Sequence, residues 1–452
     1  MKDKKLVLKN KNFLFVNLAV DGCYEGVNQG IAILVPIIKK FSYTVKCLDI
    51  RTNIDPEDFY KQVLEFNPSI VAFSFIVTQQ EFLKKYSQKL TNSPDILQIA
   101  GGSGITLDYE KYLNNTAITG ACIGEGEVPL YDLLTRIEKN QNIHETPGFY
   151  WKNNETIIKN KIPNFIADIS SLDFPDYSVF NESIVISNIN QIQVNITRGC
   201  VYNCNYCCNN ALTSIYSSKK NFFRVPDVEY AISFLKQLIA QYPTVKAIIF
   251  VDEFIVANQQ WFIKFAQEYK KHINLPNACC MRVESINELT VKALKLMNCK
   301  WARIGLECGC EKFRKKILNR HYSNHFFIEK CQILKTEGIK IFTFNMVGLP
   351  FETSDEREQT IKLNKTIKAD SGICSFFYPF KGTKLYDICK EHQLLKDDHE
   401  LLKITNYTIA PCIKMTEYEA TQCILTSYIL TLYLRRNHLE SSPFWPIFKP
   451  DK

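Results

Sequence analysis

Histidine is scarce in this chain, at 7 of 452 residues, and the first of them is His144. No uninterrupted apolar stretch reaches the roughly 20 residues of a membrane-spanning helix. The best run, 423–434 (CILTSYILTLYL), is too short and carries Thr, Ser and Tyr. A dense Lys/Arg tract, the footprint of an electrostatic nucleic-acid binder, is missing, although 55 basic against 47 acidic residues leave a formal charge of +8. Lys9 and Lys11 interrupt the apolar segment that a secretory signal would need. These absences predict a soluble, cytoplasmic chain with no membrane segment and no clear nucleic-acid module. Thiol is what the chain has in excess: 17 cysteines. A chain of this length, 46% hydrophobic, buries its own cores and does not need disulfide staples. An odd thiol count without a secretory signal points to reduced cysteines and a metal cluster, with most of the thiols serving as small buried hydrophobes.

The first part of the chain alternates near-continuous apolar runs (13–19, 44–50, 70–77, 95–100, 117–123) with amphipathic stretches (30–40, 56–66, 81–90, 128–139). That alternation predicts a doubly wound, mainly parallel α/β sheet over residues 1–143. Ligands on such sheets bind at the carboxyl ends of the strands, where this sequence has Asn28 to Gly30, Ser74, Gly101-Gly102-Ser103 and Gly124-Glu125-Gly126-Glu127. Residues 144–190 read as a connector rich in turn chemistry (Pro147-Gly148, Asn153-Asn154, Pro163, Pro175). A second alternation follows over 191–386, with strand-like runs at 191–196, 247–251, 278–283, 302–306, 340–347 and 373–378. Six βα units predict a partial TIM-type barrel. Residues 387–452 read as a helical C-terminal region centred on 417–434.

The strongest chemical signal lies just after the first strand of the second array. There Cys200, Cys204 and Cys207 are spaced C-x3-C-x2-C within Gly199-Cys200-Val201-Tyr202-Asn203-Cys204-Asn205-Tyr206-Cys207. Three thiolates fall one short of a tetrahedral zinc site or an ordinary iron–sulfur cluster. A cluster with one iron left open has a coordination position free for chemistry. The bland readings are a zinc knuckle completed by Cys208, or plain buried thiols.

This motif, with an aromatic residue before its third cysteine, resembles that of the radical S-adenosylmethionine (SAM) superfamily. The likeness extends in order through Val251-Asp252-Glu253-Phe254, Arg303-Ile304-Gly305-Leu306-Glu307-Cys308-Gly309, Phe344-Asn345-Met346-Val347-Gly348-Leu349-Pro350 and Pro379 to Tyr386. The resemblance implies that Cys200, Cys204 and Cys207 hold a 4Fe-4S cluster whose fourth iron takes SAM. It also implies that Glu307 and Arg282 hold the amino-acid end of SAM and that Asn345 meets its ribose. A carboxylate for an ammonium and a guanidinium for a carboxylate make physical sense. An external electron donor of flavodoxin or ferredoxin type is implied as a partner.

The first array resembles the cobalamin-binding domain that precedes the barrel in one radical SAM subgroup. Ser74, Gly101, Gly102, Glu125 and Gly126 carry that likeness at the strand ends, with Leu172 to Tyr177 as the approach to the barrel. No imidazole precedes His144, so a bound cobalamin would have no histidine on cobalt from this domain. Asp21-Gly22-Cys23-Tyr24-Glu25-Gly26 has the spacing of the D-x-H-x-x-G signature, with Cys23 where histidine belongs, and reads as coincidence. The alternative is a degenerate domain that has lost the cofactor. The resemblance therefore implies cobalamin-dependent methylation of an unactivated carbon in a small-molecule or peptide substrate. A second reading is a peptide epimerase in which Cys374, alternating with Phe376 and Tyr378 on the sixth strand, returns a hydrogen atom. That second reading requires Cys374 to point into the barrel.

Overall fold

Two α/β sheets, the first mainly parallel and the second all parallel, organise the chain. The structure, a computed structural model, describes residues 8–22, 26–218 and 221–436. Cys23 lies outside the described residues. In the first sheet β1 (Asn12–Leu18), β2 (Thr44–Ile50), β3 (Ile70–Ser74), β4 (Leu97–Gly101) and β5 (Gly120–Cys122) run parallel in the order β2-β1-β3-β4-β5. The apolar runs of the sequence become these strands because both their faces are covered, which favours unbroken Val, Ile and Phe. One core, with Leu14, Val16, Phe59, Phe73 and Tyr86, fills one face. A larger core on the other face continues without a break into the barrel, joining Ile31 and Val35 of the first domain to Tyr177, Ile192 and Phe234.

The segment read as a connector supplies two further strands, β6 (Phe149–Asn153) and β7 (Thr156–Lys159), which pair antiparallel onto β5 and extend the first sheet to seven. Asn154 makes the turn with φ +53°, a left-handed conformation that asparagine tolerates. Past the hairpin, Tyr177 is fully buried, and its hydroxyl donates to Gln29 Oε1 at 2.7 Å and to the Gln193 carbonyl at 3.1 Å. This tyrosine therefore ties the first helix, Gln29–Lys40, to the first barrel strand.

The second sheet is an open, all-parallel half barrel of six strands: β8 (Gln191–Val194), β9 (Ala247–Phe250), β10 (Asn277–Met281), β11 (Cys299–Glu307), β12 (Lys340–Val347) and β13 (Ser371–Phe376), in sequence order across the sheet. Its lumen is plugged by Ile249, Ala278, Trp301 and Phe342. The Glu417–Arg435 helix, started by a Thr416/Glu419 capping box, covers the outer face of β13. Among the described residues no helix is long and apolar enough to cross a membrane.

Candidate functional site

A cavity of about 340 Å³ lies where the carboxyl ends of the two sheets face each other. One wall is Ser74, Gly101, Gly102, Gly124, Glu125 and Gly126 from the first domain; the other holds Arg198, Gly199, Tyr216 and Glu253 from the barrel. The glycines create this space. A methyl group built on Gly101 would meet nothing closer than the Cys122 Cβ at 3.9 Å, and one on Gly30 only Asn28 Oδ1 at 3.3 Å. Side chains at these positions would grow into the cavity rather than into the core. The donor set suits a large flat ligand with polar edges: glycine backbone, and the Ser74 hydroxyl held by Asn28 Nδ2 at 2.9 Å. Among the described residues no histidine lines the cavity.

The cysteine loop leaves β8 at the mouth of the half barrel. Asp252 anchors its base: fully buried, it accepts hydrogen bonds from the Ile196 amide (2.9 Å), the Thr197 hydroxyl (2.7 Å) and the Thr197 amide. Burial pushes Asp252 up to about 6. Neighbouring Glu253 is exposed and opens onto the cavity. Cys200, Cys204 and Cys207 lie within electrostatic reach of one another, and burial raises Cys200 to about 11. Among the described residues no three His, Cys, Asp or Glu side chains converge on a single-ion site. Thiols set apart on one loop fit a polynuclear cluster, which takes each thiolate on a different iron. Cys208 opens the next helix and its thiol hydrogen-bonds to Cys207.

Arg282 and Glu307 both reach this loop, each already paired. The Arg282 guanidinium donates to Cys204 Sγ at 3.0 Å, forms an ion pair with Glu284 and lies 3.5 Å above the Tyr202 ring. Glu307 sits at φ +66° beside a register break in β11 and pairs with Arg320 at 3.0 Å. Arg320 also donates to the Tyr206 hydroxyl at 3.1 Å and the Gly305 carbonyl at 2.7 Å. Burial raises Glu307 and the Arg320 charge opposes that rise. Arg320 and Glu284 escaped the sequence reading. A buried Glu307 demands a cation, but nothing in the sequence says which of the many arginines supplies it.

Two predicted residues are not in the site. Asn345 faces the helix layer: its amide donates to Thr343 Oγ1 (3.1 Å) and the Ile373 carbonyl (3.1 Å), and its oxygen accepts from Asn364 Nδ2 at 2.8 Å. Phe342, Phe344 and Ile373 take the inward side of these strands, so Asn345 cannot meet a ribose in the barrel. Cys374, opposite Asn345 in register, faces the same way. It is buried against the Glu417–Arg435 helix, with a hydrogen bond to Ser427 and Cys423 nearby, and burial pushes it up to about 12. A thiol outside the barrel cannot return hydrogen to a substrate inside it, and the epimerase reading falls with it. Glu125 lines the cavity, and its carboxylate pairs with Arg224 and Arg198 of the barrel, so it is also a contact between domains.

Comparison with known proteins agrees with this division. The radical SAM superfamily profile matches residues 194–363 and the B12 binding domain profile residues 19–134. An uncharacterized methyltransferase of Pyrococcus horikoshii is 23% identical over 419 residues, covering 91% of this chain and 88% of the relative. The anaerobic magnesium-protoporphyrin IX monomethyl ester cyclase of Cereibacter sphaeroides is 24% identical over 88% of this chain and 66% of its own length. Among solved structures, the radical SAM methyltransferase TsrM of Kitasatospora setae superposes with a TM-score of 0.68 at 13% identity, covering 84% of this chain and 76% of that one. The cobalamin-dependent radical SAM enzyme OxsB superposes with a TM-score of 0.66 at 15% identity, covering 96% and 62%. At these identities the structural likeness is one of fold.

Proposed function

This chain belongs to the radical SAM superfamily, in the group whose barrel follows a B12-binding domain, and from that premise we propose that it is a cobalamin-dependent methyltransferase acting on an unactivated carbon. One observation carries the reading: the cavity walled by Gly101, Gly102 and Gly126 ends on Arg198-Gly199, the two residues before Cys200. The cysteine loop therefore adjoins that cavity. When bound, a 4Fe-4S cluster with SAM supplies the radical that removes hydrogen from carbon, and cobalamin supplies the methyl group. Cys200, Cys204 and Cys207 would hold the cluster, with Arg282 donating a hydrogen bond to the Cys204 sulfur. Glu307, held by Arg320, is the carboxylate available to an ammonium group. The glycine floor would admit the corrin, with no imidazole from the first domain on cobalt. The outward-facing Cys374 leaves the lumen without a thiol from β13, which suits a methyl transfer because a nearby hydrogen donor would quench the substrate radical first. We place the protein in the cytoplasm, reduced by a flavodoxin- or ferredoxin-type donor, with a small molecule or peptide as substrate.

The test needs no substrate. Anaerobically reconstituted protein, given reductant and SAM, should release 5′-deoxyadenosine, and it should release S-adenosylhomocysteine only when hydroxocobalamin is added. S-adenosylhomocysteine release that ignores hydroxocobalamin, or never occurs, would remove cobalamin from the reaction.

A further inference from the structure

The carboxylates of the Gly124-Glu125-Gly126-Glu127 turn pair with arginines across the domain boundary. Glu125 takes both terminal nitrogens of Arg224, with Oε2 at 3.0 Å from Nη1, and its Oε2 also lies 3.2 Å from Arg198 Nη1. Glu127, 5% exposed, pairs with the same Arg198 nitrogen at 2.5 Å. Two acids thus meet two cations with nearly all four side chains out of water.

The cations are themselves fixed. Arg198 and Arg224 exchange a pair of backbone hydrogen bonds at 2.9 Å. The Arg224 side chain donates to the Ile166 carbonyl at 2.7 Å and the Phe222 carbonyl at 3.1 Å, and its guanidinium lies 4.4 Å from the centre of the Phe165 ring. Gly199 follows at φ +81°, so close to the Phe222 carbonyl that a Cβ would sit 2.7 Å from it. A shift at Arg198 therefore has no slack to absorb it before Cys200. On the far side of the cysteine loop, the Tyr216 hydroxyl accepts from the Glu125 amide at 2.8 Å. The glycine turn is gripped once ahead of Cys200 and once beyond Cys207.

We infer that Glu125 and Glu127, through Arg198 and Arg224, are positioning residues that lock the corrin-facing turn of the first domain to the cysteine loop and so fix the separation of the two cofactor sites. The inference rests on the cobalamin and cluster assignments proposed above for what the two sites hold. Ion pairs suit this task because a buried pair is directional, and removing one partner strands the other.

Two readouts test it on the full-length chain. In hydrogen exchange, Glu125→Gln/Glu127→Gln should make residues 198–216 exchange about tenfold faster while β11 and β12 are unchanged. Exchanging the pair, Glu127→Arg with Arg198→Glu, should restore most of the protection in a chain whose charges are again balanced. In the reconstituted protein with cob(II)alamin, the double Gln variant should lose several-fold of the spin-relaxation enhancement that a reduced cluster at fixed distance imposes. Wild-type exchange in 198–216, or an unchanged enhancement with both cofactors retained, would overturn the inference. If even the wild type retains no cobalamin, the proposed function loses that cofactor while the exchange result still decides the role of the pairs.

Discussion

The cysteine loop of the barrel and the cavity wall of the first domain are built by opposite means. The loop is held by charged and sulfur side chains with assigned partners, beside the cavity and not in its lining: Arg282 on Cys204 and Glu284, Glu307 on Arg320. The first-domain wall is made of missing side chains, a row of glycines and a small hydroxyl around open space. A ligand held by covalent and ionic bonds needs the first construction; a wide planar ligand held by shape needs the second. The loop should therefore fail when a side chain is removed, and the wall when one is added.

The largest expected effect is on the barrel side. Cys204→Ala should abolish 5′-deoxyadenosine formation and deplete iron, whereas Cys208→Ala should keep both; a Cys204→Ala protein that still cleaves SAM would break the assignment. Glu307→Gln leaves Arg320 buried without its counter-charge, which should cost about 3–5 kcal/mol of stability, read by denaturant unfolding. On the first-domain wall, Gly101→Val should lower cobalamin retention by about 10- to 100-fold and leave SAM cleavage unchanged. Its stability should stay within about 0.5 kcal/mol of wild type, because the added atoms enter the cavity; a cooperative loss of both would mean that Gly101 packs the core.

A pH effect separates the site from its surroundings. Glu352 caps the turn after β12, accepting from the Gly348 amide at 2.7 Å, and burial raises it to about 8. Its folded pKa lies above the ordinary carboxylate value, so the folded chain binds this proton more tightly than the unfolded one. The resulting stability is complete at pH 4 and disappears as pH rises through about 8. Asp252 adds a loss of the same sign that ends near 6. Glu352→Gln should remove the slope that remains above that point and lessen the slope below it, down to the ordinary carboxylate value. The smallest effect belongs to Cys374→Ala, which should cost about 1 kcal/mol of packing and leave 5′-deoxyadenosine formation at the wild-type rate. A lost radical reaction there would reopen a role for this thiol.

The strands and the cysteine loop were legible in the sequence because near-continuous apolar runs and a fixed ligand spacing are local signals. What Asn345 and Cys374 face was not. Strands covered on both sides are apolar at odd and even positions alike, so the pattern does not reveal which parity looks inward. The two residues share a register position and turn to the helix layer together. The hairpin β6–β7 did leave a signal, Asn153-Asn154 between two short apolar runs, but taken as turn chemistry alone it hid the strands on either side. The partners Arg320, Arg224 and Glu284 lie 13, 99 and 2 residues from the groups they hold, and no periodicity links such pairs. Glu125 was read as a ligand because its loop lines the cavity; only the tertiary structure turns its carboxylate toward the barrel.

The central claim is that one cavity brings a cobalamin without a histidine ligand up to a three-cysteine cluster. Electron paramagnetic resonance of anaerobically reconstituted protein, loaded with hydroxocobalamin, freed of excess by gel filtration and reduced to cob(II)alamin, tests it most directly. The account predicts a retained cob(II)alamin signal whose relaxation quickens when the cluster is reduced, with any nitrogen splitting unchanged when the protein is labelled with nitrogen-15. A chain that elutes without cobalamin, or a nitrogen splitting that changes on labelling the protein, would contradict it.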